Sequence, residues 1–298
     1  MRPLRRHDDT SARVKPRRAL VAAGLAALCA VALSGCSPVL HRGFLPKGVT
    51  KQSLLVERLW VNGWIAALCV GVLVWGLIIW SVIRYRRRKD DIGLPVQMRY
   101  NVPIEILYTV VPVFMIAVFF TYTQRYDVQL LDTSKKPDLT VNVVGKQWSW
   151  DFNYVEPNTY EAGTQAELTG KPGVEKKLPT MWLPVDKRVE FVLTSRDVIH
   201  SFWVPQFLMK MDIMPGRVNK FAVNTTETGT FQGKCAELCG AYHSAMLFNV
   251  KVVPEKEFQQ HMAKLKAEGN VGQLPTSLGR SKLVHGEQKL LPKSDRSK

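Results

Sequence analysis

Long apolar runs dominate the first half of the chain and short alternating runs the second. The first, Ala19 to Leu33, follows a stretch rich in Arg and Lys (Arg2, Arg5, Arg6, Arg13, Lys15, Arg17, Arg18) and has the flanks of an export signal. The second and third, Trp60 to Ile83 and Ile106 to Thr123, are long enough to cross a bilayer as helices. Trp60, Trp64 and Trp80 stand where interfacial anchors belong. Pro112 removes a backbone donor inside the third run and is expected to bend or loosen it, a loss that neighbouring helices absorb. Beyond it, Leu139–Val144, Arg188–Leu193 and Ala245–Val253 alternate or cluster β-formers between Gly, Pro and Asn, which predicts short strands in an all-β sandwich or Greek-key barrel. Glu156–Lys177 reads as a long polar loop, and Phe258–Ala267 as a short helix.

The chain has 298 residues and a formal net charge of +16. Such a balance raises the question of nucleic acid, and its distribution answers it. The cations sit at the N-terminus, in Arg84-Tyr-Arg-Arg-Arg-Lys89 and after Arg280, whereas the stretch from Asp138 to Glu255 is nearly balanced. The run at Arg84–Lys89 puts the intervening loop in the cytoplasm by the positive-inside rule, so both flanking segments face outside. The resulting division is 1–35 signal, 36–59 exported segment, 60–83 first membrane helix, 84–104 cytoplasmic loop, 105–124 second membrane helix, 138–255 exported domain, and 256–298 helix plus mobile basic tail. The sequence contains no internal repeat, phosphate-binding Gly loop or hydrolase triad.

The chemistry concentrates in Cys235-Ala-Glu237-Leu-Cys239-Gly-Ala-Tyr-His243-Ser-Ala-Met246. Thiolate and thioether are soft ligands that favour copper, imidazole suits it too, and a weak axial Met tunes electron-transfer copper sites. Zinc accepts Cys and His but has no use for the Met. A disulfide with Met246 as core filling is the bland alternative. Two cysteines four apart can serve one copper or bridge two, and each of two coppers needs its own His. His200, after the strand-like run Val189–Thr194, is the candidate, since His suits a metal as well as a buried core.

These residues resemble subunit II of the haem-copper cytochrome c oxidases, whose dinuclear copper A centre carries C-x-E-x-C-x3-H-x2-M with an upstream His. The resemblance implies that Cys235 and Cys239 bridge two coppers, that His200 and His243 cap one each, and that Met246 and the Glu237 carbonyl are the weak ligands. It implies that the Glu237 side chain contributes to a Mg2+ or Mn2+ site bordering subunit I. Gly145-Lys-Gln-Trp148-Ser-Trp150 resembles the family motif in which a Trp admits electrons from cytochrome c, and Trp148 matches it. Asp186 and Asp197 match acids that dock the cytochrome; Trp150 is expected in the core. Glu105, at the cytoplasmic end of the second helix, matches a Glu at the mouth of a proton channel, although an acid at an interface is also structurally ordinary.

The implied architecture is membrane-anchored: a two-helix transmembrane hairpin plus an all-β cupredoxin-like Greek-key barrel. The implied function is that of subunit II of an aa3-type oxidase, taking electrons from cytochrome c at copper A and passing them to haem in subunit I for oxygen reduction coupled to proton pumping. The implied partners are subunits I and III, membrane lipid, and cytochrome c or a cytochrome c domain of a bc1-type complex; no nucleic acid is expected. Leu33-Ser-Gly-Cys36 resembles the bacterial lipobox, which makes Cys36 a lipid-bearing first residue at the outer face of the plasma membrane. The lipobox and the form of the first span resemble an actinobacterial branch. A membrane-anchored copper chaperone would carry a thioredoxin-like domain on one helix, and a quinol-oxidase subunit II lacks the copper ligands.

Overall fold

The computed structural model describes residues 24, 37–87, 93–94, 97–167 and 177–276. The signal segment, Cys36 and the tail 277–298 lie outside the described residues. Contacts divide the chain into Met1–Leu45 and Pro46–Lys298. In the first unit, Pro38–His41 forms a single helical turn, α1, with Pro in its first turn, where a missing N–H costs nothing.

The second unit begins with α2, Lys51–Arg84, which starts well before the expected Trp60. A capping box explains the start: Ser53 N donates to Thr50 Oγ1 at 3.1 Å and Thr50 N to Ser53 Oγ at 3.4 Å. Gln52 and Ser53 are buried, because the opening turn of α2 is tied to the β-domain. Gln52 Nε2 donates to Asn224 Oδ1 at 3.0 Å and its Oε1 accepts from Asn224 N at 2.8 Å. Thr50 forms an antiparallel bridge with Thr225. The second long helix, α3, spans Val102–Leu130. Asn101 caps it, accepting from Ile104 N at 3.4 Å. It continues through Pro112 unbroken. Both helices are long and apolar enough to cross a membrane, and their apolar windows are unburied, which is what lipid or other helices would cover.

Ten strands follow: β1 Leu139–Lys146, β2 Ser149–Tyr154, β3 Thr159–Ala162, β4 Thr180–Pro184, β5 Arg188–Ser195, β6 His200–Val204, β7 Met209–Ile213, β8 Asn219–Asn224, β9 Gly229–Cys235 and β10 Leu247–Val253. They form two five-stranded sheets, in the orders β3-β2-β1-β5-β8 and β4-β10-β9-β6-β7. β1 with β5 and β4 with β10 pair in parallel; the other pairs are antiparallel. Alternation does the sorting. Val189, Phe191 and Leu193 point inward and are fully buried, while Glu190 between them stays partly exposed. Between the sheets Phe202 stacks on Phe248 with ring centroids 5.2 Å apart, and Trp150 packs on Phe248 at 5.1 Å, so Trp150 is core as expected. Inside the expected polar loop 156–177 lies β3, which pairs with β2.

α4, Glu255–Ala267, lays Phe258, Met262 and Leu265 against the sandwich, and His261 stacks on Trp182 at 4.0 Å. The chain after it is not free at once. Val271 bridges Thr159, and Leu274 exchanges two hydrogen bonds with the Asn153 side chain, at 2.9 and 3.1 Å. The stretch from Asn270 to Leu274 is therefore tied to the sandwich. Buried Asn153 supplies the amide that a Gly- and Ser-rich stretch would not announce.

Candidate metal centre

The register brings strand ends from both sheets to one end of the sandwich. Gly145 pairs with Ser195 near the ends of β1 and β5, and Phe202 of β6 pairs with Cys235, the last residue of β9. His200 opens β6 rather than lying on a loop, because its backbone pairs with Ile213. The Cys235–Met246 loop is closed at its base by Cys235 N donating to Met246 O at 3.0 Å. A 3-10 turn, His243–Ala245, then presents His243.

The side chains converge from both parts of the chain. Cys235 Sγ lies 3.8 Å from Cys239 Sγ, 3.9 Å from His200 Nδ1 and 3.2 Å from the Glu237 carbonyl oxygen. Cys239 Sγ lies 3.5 Å from His243 Nδ1 and 3.7 Å from Met246 Sδ. Donor atoms 2.0–2.3 Å from one tetrahedral ion stand about 3.3–3.8 Å apart, so these spacings fit metal ligation. His200, Cys235 and Cys239 are buried, Met246 is 1% exposed, and His243 sits half-buried at the rim. The donors fall into two sets, His200–Cys235–Glu237 carbonyl and His243–Cys239–Met246, sharing the sulfur–sulfur edge.

The surroundings hold the ligands in place. Asp197 Oδ1 lies 2.8 Å from His200 Nε2. This carboxylate acceptor holds a proton on Nε2, so that Nδ1 is the nitrogen left for a metal; without a metal, a protonated ring donates from Nδ1 to the Cys235 sulfur. Burial alone would lower the His200 pKa, but the bonds to Asp197 and Cys235 outweigh it and the value is raised. Burial pushes the Cys235 thiol up, yet the hydrogen bond with His200 and backbone bonds at Glu237 and Ser201 bring it down to about 7. Cys239 is pushed up to about 12 by burial and by the neighbouring Cys235 charge. Gly145 lies flat against the His200 ring: a Cβ there would sit 2.8 Å from His200 Cδ2.

Trp148 covers the loop. Its Nε1 donates to Cys239 O at 3.3 Å, and its ring meets Tyr242 edge-on at 5.0 Å. Gln147, which the sequence did not single out, donates from Nε2 to the same carbonyl at 2.8 Å; its place beside Trp148 was the available signal. Gly240, at φ +125°, lets the loop pass under this ring, where a Cβ would stand 3.1 Å from Trp148 Nε1. Asp197 is turned inward, accepting from Gln147 N at 2.6 Å as well as holding His200.

Asp186 stands apart from the metal end. It occupies the β4–β5 turn at positive φ, 59°, with its N–H on Thr225 O at 3.2 Å. That turn precedes β5, whose eight residues separate it from the metal end by about 23 Å of extended chain. An acid in a turn and an acid on a docking face look alike in sequence. Glu105 lies in the first turn of α3, where its carboxylate accepts from Asn101 N at 2.9 Å.

Comparison with known proteins gives the family. A chain from Streptomyces avermitilis described as probable cytochrome c oxidase subunit 2 is 45% identical over 306 residues, covering 92% of this chain and 95% of the relative. The chain belongs to the cytochrome c oxidase subunit II family. The family profile for the periplasmic domain of cytochrome c oxidase subunit II matches residues 139–253. Cytochrome c oxidase subunit 2 of Mycobacterium bovis is 36% identical over 296 residues, covering 83% of this chain and 81% of its own. The crystal structure of the periplasmic domain of subunit II of cytochrome oxidase from Bradyrhizobium japonicum is 35% identical, covers 45% of this chain and 97% of that one, and superposes with a TM-score of 0.42. The β-domain is thus the cupredoxin-like periplasmic domain of a cytochrome c oxidase subunit II, which fits the two helices long and apolar enough to cross a membrane, and its His and Cys cluster fits a copper A site.

Proposed function

We propose that this subunit II holds a dinuclear copper A centre and is the electron port of its oxidase. The observation that carries the proposal is the division of the donors into two sets across the 3.8 Å sulfur–sulfur edge, one imidazole on each thiol. Cys235 and Cys239 would bridge the metals, His200 and His243 would cap one each, and Met246 and the Glu237 carbonyl would be the weak ligands. Bound there, the copper pair supplies reversible one-electron chemistry. The chain's own part is rigidity: ligands fixed by strand ends and by Asp197 move little when charge changes, so little reorganisation opposes transfer.

Electrons from a cytochrome c, free or held in a bc1-type complex, would arrive over Trp148, whose indole touches the Cys239 carbonyl, and leave for haem in subunit I. Subunit III, proton pumping, a Mg2+ or Mn2+ at the Glu237 carboxylate, and lipid on Cys36 belong to the same reading. Glu105 would serve proton uptake from the mouth of α3. Replacing it by Ala tests that role: proton uptake and turnover should fall, and unchanged turnover would leave Glu105 as a helix cap.

The deciding experiment is metal analysis with electron paramagnetic resonance on the full-length chain in detergent. Two coppers per chain sharing one unpaired electron are expected. A metal-free or mononuclear site would falsify the reading.

A further inference from the structure

Beside the donor set lies a buried charge cluster that the electron-transfer reading does not use. Asp151 has a side chain 1% exposed and lies 2.6 Å from Lys146 Nζ and 3.2 Å from an Arg196 guanidinium nitrogen. It also accepts from Gly163 N at 3.0 Å. The same guanidinium nitrogen donates to Pro275 O at 2.7 Å, and Pro275 follows the residue that Asn153 grips. The segment from Asn270 to Pro275 is stitched to the sandwich along its length: Asn270 O accepts from Tyr160 N at 3.3 Å, Gly272 N donates to Asn158 O at 3.0 Å, and Gln273 Nε2 donates to Tyr154 O at 3.2 Å. It runs beside β2 from the Thr159 end toward the metal end, and Arg196 is where it arrives.

Arg196 starts the short connection from β5 to His200. Its backbone N–H donates to Gly145 O at 2.9 Å, and Gly145 is the residue that lies against the His200 ring. The next residue, Asp197, makes three short contacts: Gln147 N at 2.6 Å, Val198 N at 2.7 Å and His200 Nε2 at 2.8 Å. Clamped by its main chain on one side and its guanidinium on the other, Arg196 leaves this connection little freedom. One guanidinium nitrogen carries two hydrogens and serves the Asp151 carboxylate and the Pro275 carbonyl together, on a planar group that loses less freedom per bond than an ammonium on a flexible stem.

We propose that Arg196 is a positioning residue for His200, and that residues 270–275 are the strap that holds Arg196 in that position. The proposal rests on His200 being a metal ligand, but its mechanical part does not require the metal. The amides of Gln147 and Val198, both bonded to the Asp197 carboxylate, report directly on whether that carboxylate stays in place.

The test is hydrogen exchange on the metal-free full-length chain in detergent, resolved at Gln147 and Val198, with copper resonance spectra of loaded samples alongside. Arg196→Gln should speed exchange at both amides at least about tenfold, the size expected for losing a charge-assisted hydrogen bond, and should change the imidazole signature in the loaded spectrum. Arg196→Lys should recover part of the protection. A chain ending at Gly269 should behave like Arg196→Gln, and one ending at Thr276 like the full chain. If the shorter chain does not fold, Arg196→Gln decides alone. Unchanged exchange at Gln147 and Val198 in Arg196→Gln overturns the strap. Strap-dependent exchange in a chain that takes up no copper overturns the copper reading instead.

Discussion

At the scale of single residues, the two thiols are unequal although the motif treats them alike. His200 stabilises the Cys235 thiolate, with a pKa of about 7, whereas Cys239 stays protonated until about 12. In the metal-free chain, titration followed by thiolate absorbance should therefore show one thiolate appearing near neutrality and the second only in strong base. His200→Ala should move the first step upward toward ordinary thiols; an unmoved step would mean that His200 does not stabilise it. Metal needs both sulfurs deprotonated, so copper uptake at neutral pH expels the Cys239 proton and apparent affinity should rise with pH, measurable by competition with a chelator. Gly145→Ala tests the packing on the imidazole. Its Cβ would stand 2.8 Å from His200 Cδ2, an overpacking that costs about 1–3 kcal/mol, and the copper spectrum should change. An unaltered spectrum would show that the ring can step aside. The ligands between Cys235 and Met246 were legible in sequence because one loop carries them all, and local spacing constrains them. Gln147 and Arg196 were not, because each acts through a partner far along the chain.

At the scale of elements, the joint between the opening turn of α2 and β8 links the membrane helix to the sandwich. Val49, 2% exposed, donates from its N–H to Gln206 O at 3.1 Å, and Gln52 makes its two bonds to Asn224. Gln52→Ala should weaken this joint by about 1–2 kcal/mol, read as faster exchange of the amides from Val49 to Ser53 while the Cys235–Met246 loop keeps its protection. Equal exchange in both proteins would mean that the joint is held without Gln52, by the Thr50–Thr225 bridge and the main-chain bonds of Val49. The apolar cores of α2 and α3 were legible from hydropathy. Their true starts were set by caps, Thr50 and Asn101, that lie outside the apolar runs. β3 escaped notice because its four residues, Thr-Tyr-Glu-Ala, carry little alternation and are strand only by pairing with β2.

At the scale of the whole molecule, one end of the sandwich gathers His200, the Cys235–Met246 loop and Trp148, while the β4–β5 turn with Asp186 lies at the other. Trp148→Ala should slow reduction of the copper by its donor by more than about tenfold, a barrier increase above ~1.4 kcal/mol, while the onward step to haem keeps its rate. Flash-photolysis kinetics on the assembled oxidase separate the two, and an unchanged donor step would remove Trp148 from the path. Asp186→Asn should leave the donor step as it is. The sequence by itself determined the apolar helices, the β character of the exported part and four donors of one loop, because hydropathy, alternation and close spacing are local properties. Tertiary structure decided what joins that loop. His200 reaches Cys235 because β6 pairs with β9, Asp197 turns inward because the imidazole and the Gln147 N–H draw its carboxylate, and the strap meets Arg196 because Asn153 catches Leu274. Each is a contact between residues distant in the chain, fixed by register and by the need to pair buried polar groups.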